Sequence, residues 1–355
     1  LSALVVLPDP AYAGYIDFRT LAILFSLMTV MAGLRGQGVF SRMGQALLGR
    51  TGGVFPLVLV LVGLCFFGSM LITNDVALLT FVPFTFAVLG RLEPKLCRAL
   101  AVPVVCMQTV AANLGSMLTP IGNPQNLYLY GKSNMPLAQF IRLMLPYSLL
   151  SLGLLLVWAF GVCRTLSLGA APRTLSTGHT PIESPRLVGM YAVLFCVCLG
   201  TVARLVPCGV SFAAVLLCTF LADRKALRRV DYSLLCTFAA FFIFIGNLGR
   251  VPAFSAWLQG MIAGREVPVA VLASQLTSNV PAALLLSGFT QNTAALIIGT
   301  NLGGLGTLIA SMASLISYRQ IAQELPQQKG RYFALFTLSN LVFLAILMAA
   351  WLIFG

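Results

Sequence analysis

The sequence is poor in charge, and poorest in acid. Only 9% of its 355 residues are Asp, Glu, Lys or Arg, against roughly 25% in soluble domains, so the chain cannot cover a water-facing surface. Its single histidine, His179, sits in a polar loop, which argues against a histidine-based metal or catalytic centre. The nine cysteines occur singly, most of them inside apolar stretches (Cys65, Cys106, Cys196, Cys198, Cys218, Cys236), and no C-x-x-C is present. They read as small buried hydrophobes rather than as a redox or zinc framework. H-E-x-x-H and G-x-S-x-G are also missing, so an enzyme is not expected.

What is present is apolar. Hydrophobic residues make up 59% of the chain and the mean hydropathy is +0.95. Apolar runs recur along the whole length, and about 20 such residues span about 30 Å of hydrocarbon. Barrel strands would be short and alternating, so the spans are helices, whose backbone polar groups pair internally. The expected fold is an all-α polytopic membrane protein, multi-pass in a cell membrane of the bacterial inner-membrane type. A net charge of +13 would suggest nucleic acid in a soluble protein. Here the cations sit in short loops between spans, as the positive-inside rule requires. The bilayer is therefore the expected partner, and nucleic acid is not.

Along the chain, Leu1–Leu7 is too short to span and reads as the end of a helix that begins upstream. Asp17–Leu34 is the first full span, followed by an amphipathic connector, Arg35–Arg50. Residues 53–90 are one apolar stretch interrupted at Thr73-Asn74-Asp75. Residues 99–130 are interrupted at Thr119-Pro120-Ile121-Gly122-Asn123-Pro124. After the span 137–161, a linker from Arg164 to Arg186 is rich in Ser, Thr, Pro and Gly and divides the chain into halves 1–163 and 187–355. The second half has spans at 187–205, 209–222 and 232–249. Residues 267–290 are interrupted at Thr277-Ser278-Asn279-Val280-Pro281, and residues 293–317 at Gly299–Gly306; a last helix covers 332–354. Treating 53–90 and 267–290 as hairpins that return to the side they left puts most cations inside. Arg19, Lys132, Arg142, Arg204, Arg250 and Arg265 alone then lie outside.

The halves resemble each other. Asp17-Phe18 matches Asp231-Tyr232 at an offset of 214, and Thr73-Asn74-Asp75-Val76 matches Thr277-Ser278-Asn279-Val280 at 204. Asn113-Leu114-Gly115 with Thr119 and Ile121 matches Asn301-Leu302-Gly303 with Thr307 and Ile309 at 188. The order is kept and the paired spans run in opposite directions, so two inverted repeats are expected.

Chemistry is expected where the spans break. Unwound backbone inside hydrocarbon is tolerated only where it lines a cavity or is buried in protein. Stretches 73–76, 119–126, 277–281 and 300–307 all break that rule. Gly and Pro free backbone groups, Thr, Ser and Asn add neutral donors and acceptors, half-helix N-termini favour anions, and freed carbonyls favour cations. The competing reading of the glycines is close helix packing, and of Pro124 and Pro281 simple kinks. Asp75 is the one acid at membrane depth; the others lie in loops or at span ends. An intramembrane carboxylate costs roughly 2.5–3.5 kcal/mol, which marks it as a proton- or cation-binding group. The alternative is a carboxylate held by local backbone N–H groups. No Lys or Arg within the spans obviously pairs with it.

With these residues, the chain resembles the ion transporter superfamily, which includes citrate-type permeases, divalent anion:sodium symporters, arsenite effluxers and sodium/proton antiporters. The resemblance implies a re-entrant helical hairpin and a broken transmembrane helix in each half, and a homodimer. It implies substrate contacts at Asn74, Thr119, Gly122, Asn123, Pro124, Ser278, Asn279, Thr300, Asn301 and Gly303, and cation or proton coupling at Thr73, Asp75, Asn126 and Thr307. Na+ at Asp75, Asn74 and Asn123 is the one metal it suggests, with no other cofactor. The implied function is secondary transport of a small anion, a carboxylate or inorganic oxyanion, coupled to Na+ or H+ by alternating access. The Asn74-Asp75 tip and Val280 after Asn279 depart from the symporters' Ser-Asn-Thr pattern and look closer to the arsenite and sodium/proton branches. An arsenite exporter or Na+/H+ antiporter using Asp75 is therefore the second reading.

Overall fold

A computed structural model describes residues 6–7, 9–48, 52–165 and 184–354. Most of the Arg164–Arg186 linker, His179 and Leu1–Val5 lie outside the described residues. Regular structure among the described residues is helical throughout. In order the helices are α1 (Ala11–Tyr15), α2 (Phe18–Gly36), α3 (Val39–Leu48), α4 (Val54–Ile72), α5 (Asn74–Leu89), α6 (Pro94–Ser116), α7 (Pro124–Lys132), α8 (Leu137–Thr165) and α9 (Pro185–Val202). They continue as α10 (Cys208–Ala222), α11 (Arg224–Arg228), α12 (Tyr232–Gly249), α13 (Pro252–Ile262), α14 (Glu266–Thr277), α15 (Asn279–Ser287), α16 (Thr293–Leu302), α17 (Met312–Glu324) and α18 (Lys329–Phe354). Among the described residues, seven helical stretches are long and apolar enough to cross a membrane. The protein is an all-α, multi-pass membrane protein.

Local chemistry places the helix ends. Asp17 and Asp231 cap α2 and α12 with nearly the same backbone angles (φ −78°, ψ 84° and 83°). Each carboxylate accepts from a first-turn amide, of Thr20 or Leu234, which satisfies an otherwise orphaned donor. The centre is α6, whose residues from Leu100 to Ser116 are all buried. It is gripped by the hairpin α4–α5. Gln108 on α6 donates to the Leu61 carbonyl (3.0 Å) and the Thr85 hydroxyl (2.8 Å). Gly115 permits the close approach of α6 to α4, because a Cβ there would strike the Phe66 carbonyl.

Both hairpins turn on a single residue in the left-handed half of φ/ψ space, Thr73 (φ 67°, ψ 151°) and Ser278 (φ 80°, ψ 154°). The two turns are related by an offset of 205, so Thr73 corresponds to Ser278 and Asn74 to Asn279. The sequence alignment at 204 is one residue out of register, because a shared Thr at 73 and 277 outweighed the backbone. The 188 offset needs no change. Gly122 N–H bonds the Thr119 carbonyl and Ala310 N–H the Thr307 carbonyl. The carbonyls of Gly122 and Ala310 then accept from the hairpin amides of Asn74 (3.1 Å) and Asn279 (2.9 Å). The broken segments are shifted from their expected bounds. The first is unwound over 117–123, with Pro124, Gln125 and Asn126 already helical in α7. The second is unwound over 303–311, with Thr300 and Asn301 still helical in α16.

Candidate functional site

Four helices begin at one small cavity. It is lined by Asn74 and Asp75 at the start of α5, Pro124 and Gln125 at the start of α7, Asn279 and Val280 at the start of α15, and Ser311 and Met312 at the start of α17. It offers about 10 Å³ to the centre of a water-sized sphere, room for one water molecule or monatomic ion. Each N-terminus brings the positive end of a helix dipole, although the first amides of α5 and α15 are taken by the Gly122 and Ala310 carbonyls and α7 opens on a proline, which has no N–H. Four such ends at one cavity favour an anion.

Beside it lies a larger cavity, about 160 Å³ on the same measure, bounded by α2, the first hairpin tip, the start of α7 and the start of α12. Thr73, Asp75 and Asn123 are among its lining residues, and so are Arg35, Arg229 and Asp231. Its remaining wall is largely Leu, Met, Ile and Val. Arg35 also donates to the Leu79 carbonyl of α5 (3.2 Å), which ties the end of α2 across the cavity to the hairpin.

Several buried polar atoms around these cavities have no protein partner: Asp75 Oδ1, Asn123 Oδ1, and both amide atoms of Gln125, a residue only 1% exposed. Asp75 N–H bonds the side chain of Asn74 (2.9 Å), but no cation pairs with its carboxylate; the one salt bridge among the described residues joins Arg250 to Asp9. Buried groups left unpaired cost about 1–3 kcal/mol each, so their clustering marks a place where a ligand completes the bonding. Asp75 and Asn123 offer oxygens toward one cavity and are the residues that could hold a Na+ ion. Among the described residues no group of three His, Cys, Asp or Glu could hold a metal.

Behind the cavity, asparagines fasten the broken segments to each other. Asn123 donates to Asn301 Oδ1 (3.3 Å) and Ser116 Oγ (2.8 Å), and Asn301 donates to Asn126 Oδ1 (2.6 Å). At the positions related by the 188 offset, Ser311 Oγ donates to Asn113 Oδ1 (2.9 Å) and Asn113 Nδ2 faces Ser314 Oγ (3.5 Å). Asn74 joins the second group by donating to Asn113 Oδ1 (3.1 Å).

The expected residues therefore divide. Thr73, Asn74, Asp75, Asn123, Pro124 and Asn279 line one or both cavities, and Ser278 forms the second turn beside them. Asn126 and Asn301 lie in the supporting network. Gly122 serves through its carbonyl, and Thr119 through its hydroxyl, which bonds Met70 O and Gly122 N–H. Three positions lie away from the cavities. Thr300 is fully buried with its hydroxyl on the Leu296 carbonyl of its own helix. Gly303 gives room to Ser274, which a Cβ would strike, so the packing explanation holds there. Thr307 is exposed and tied to Gln275. Asn113, Ser311 and Gln275 were not among the expected site residues, and Gln125 was included only as part of the 119–126 stretch. Asn113 and Ser311 were reachable through the 188 offset from Asn301 and Asn123.

Known proteins carry related sequences. The family model described as Citrate transporter (CitMHS) matches residues 1–295. The chain belongs to the citrate transporter family. This family member is 31% identical over 329 residues to inner membrane protein YbiR of Escherichia coli, covering 90% of this chain and 84% of that protein. It is 29% identical over 317 residues to an uncharacterized transporter of Methanocaldococcus jannaschii, covering 86% and 81%. Over a shorter stretch of 150 residues, 42% of this chain and 30% of the other, it is 34% identical to the silicon efflux transporter LSI3 of Oryza sativa subsp. japonica. It is accordingly a membrane transporter, acting on a small molecule or ion in a lipid environment.

Proposed function

We propose that this transporter moves a small anion, a carboxylate or inorganic oxyanion, coupled to Na+ or H+ by alternating access. The observation that carries the reading is the meeting of four helix N-termini at one cavity, with the unpaired Gln125 amide among them. An anion held in the larger cavity, which Arg35 and Arg229 also line, would point one oxygen toward those helix starts through the shared wall at Asp75 and Pro124. Asp75 sits between the two cavities with a free carboxylate oxygen, where a bound H+ or Na+ offsets its repulsion of the anion. Binding of anion and cation then becomes mutually dependent, which is what coupling requires. The corresponding turns and bonds at offsets 188, 205 and 214 support two inverted repeats, one on each side of the 164–186 segment.

The test is uptake of radiolabelled citrate and phosphate into proteoliposomes under imposed Na+ or pH gradients. Gradient-driven uptake of at least one anion is expected in the wild type. Asp75→Asn should abolish the dependence on the gradient while leaving the purified protein monodisperse. Full gradient-coupled uptake in that variant would remove Asp75 from the mechanism.

A second reading, export of a neutral metalloid acid or Na+/H+ exchange on Asp75, is favoured by the lone unpaired carboxylate and by the likeness to a silicon efflux transporter. It predicts transport of arsenite or 22Na+ with no response to citrate or phosphate in the same vesicles.

A further inference from the structure

The two halves differ most where they should be most alike. The backbone around the tips corresponds closely: Thr119 Oγ1 donates to the Met70 carbonyl (2.5 Å) in the first half, and Thr307 Oγ1 to the Gln275 carbonyl (3.4 Å) in the second. Met70 and Gln275 are related by the same offset as the two turn residues. Their side chains could hardly be less similar in chemistry.

Gln275 reaches into the second unwound segment. Its Nε2 donates to the carbonyls of Gly303 and Leu305, both at 2.9 Å, and its Oε1 accepts from Thr307 N–H at 2.9 Å. The loop wraps this amide closely: Gly306 has φ +106°, and a Cβ there would strike Gln275 Oε1. Carbonyl oxygens freed by unwinding a membrane helix are the groups that coordinate a coupling cation. Here two of them already face a donor with partial positive charge. In the first half the corresponding carbonyls, Gly115 and Met117, receive no side-chain donor among the described residues, and Gly115 O accepts the backbone N–H of Leu118 (3.2 Å). The acid is one-sided as well: Asp75 corresponds to Val280, so the second tip has no carboxylate.

We infer that Gln275 fills, with its own amide, the place a second coupling cation would take, and so limits the chain to one Na+ site, in the first half. A tethered neutral amide satisfies the carbonyls without an ion that must bind and leave. A free ion would have to bind and leave in each cycle and would add its charge to the coupling. This rests on the correspondence of the two halves and on the reading of Asp75 as the coupling group.

The experiment is equilibrium binding of 22Na+ to the purified full chain, counted per polypeptide, for the wild type, Asp75→Asn, Gln275→Ser and Gln275→Glu. Serine frees the carbonyls without adding charge. Glutamate cannot donate to them and supplies an anionic ligand instead. The wild type should bind one Na+, Asp75→Asn none, and at least one of the Gln275 variants one more than the wild type. Two Na+ per wild-type chain would overturn the inference, and so would counts equal to the wild type in whichever Gln275 variants remain monodisperse. If neither variant does, the wild-type count decides. If the wild type binds no Na+ and Asp75→Asn changes nothing, Na+ coupling at Asp75 fails, while a site gained in a Gln275 variant still upholds the role of Gln275.

Discussion

Thr73 and Ser278 stand at odds with their own backbone. At φ 67° and 80° with ψ near 150°, both sit in a region that glycine occupies easily and a side chain does not. Such a residue costs on the order of 1–3 kcal/mol, and the surrounding bonds must hold it there. Replacement by glycine removes that cost but adds roughly 0.5–1 kcal/mol of chain entropy to the unfolded state. Thr73→Gly should therefore stabilise the protein by about 1 kcal/mol, seen as a higher melting temperature in detergent, while uptake falls because the turn is no longer held to one conformation. A lower melting temperature would mean that the threonine side chain contributes more than its backbone costs. At this scale the sequence was legible in part. Asp75 and Asn74 stand out because few polar residues interrupt an apolar run. Gln275 does not, since a lone glutamine before a break reads as an ordinary helix residue, and its partners lie 28 to 32 positions further along the chain.

At the scale of elements, the asparagine pairs decide how the broken helices are held. Asn113 and Asn301 sit near the ends of α6 and α16, 4% and 2% exposed, and each meets the helix that starts after the other break. Asn113→Ala leaves Asn74 Nδ2 and Ser311 Oγ without their acceptor, at a cost of about 1–3 kcal/mol for each buried group. Thermal unfolding should show a loss of that order, with a similar loss for Asn301→Ala. Asn123→Ala and Asn301→Ala together should fall short of the sum of the single losses, because the two side chains share a bond. Hairpins and breaks were readable from run length and from Gly, Pro and Asn. Their edges were not. Pro124 reads as a breaker but stands at the first position of α7, where its missing N–H costs nothing. Thr300 looks like part of a break, yet its hydroxyl is satisfied within the helix.

Across the whole molecule, charge is distributed for traffic. The net charge of +13 includes Arg35 and Arg229 at the larger cavity, and neither forms a salt bridge among the described residues. A cleft of one sign raises capture of its counter-ion by roughly 10- to 1,000-fold; with Asp75 and Asp231 beside the two arginines, the low end of that range applies. If the substrate is the proposed anion, neutralising both as Arg35→Gln and Arg229→Gln should lower its kcat/KM about tenfold by this steering. It should also flatten the dependence of uptake on ionic strength. An unchanged salt profile would rule out this steering. Long apolar runs made the membrane fold readable from the start; the cavity was not readable, because its walls come from opposite halves of the chain.

One consequence follows from the crossed hydrogen bonds between Asn123 and Asn301 and between Ser311 and Asn113. The clasps are made between the two halves rather than within either one. A protease cut anywhere between Thr165 and Ser184 would free no half from the other, since each would still grip its neighbour's interrupted helix. The interrupted helices form a composite body drawn from both ends of the polypeptide, and a fragment carrying only one half would lack the partners of its own clasps.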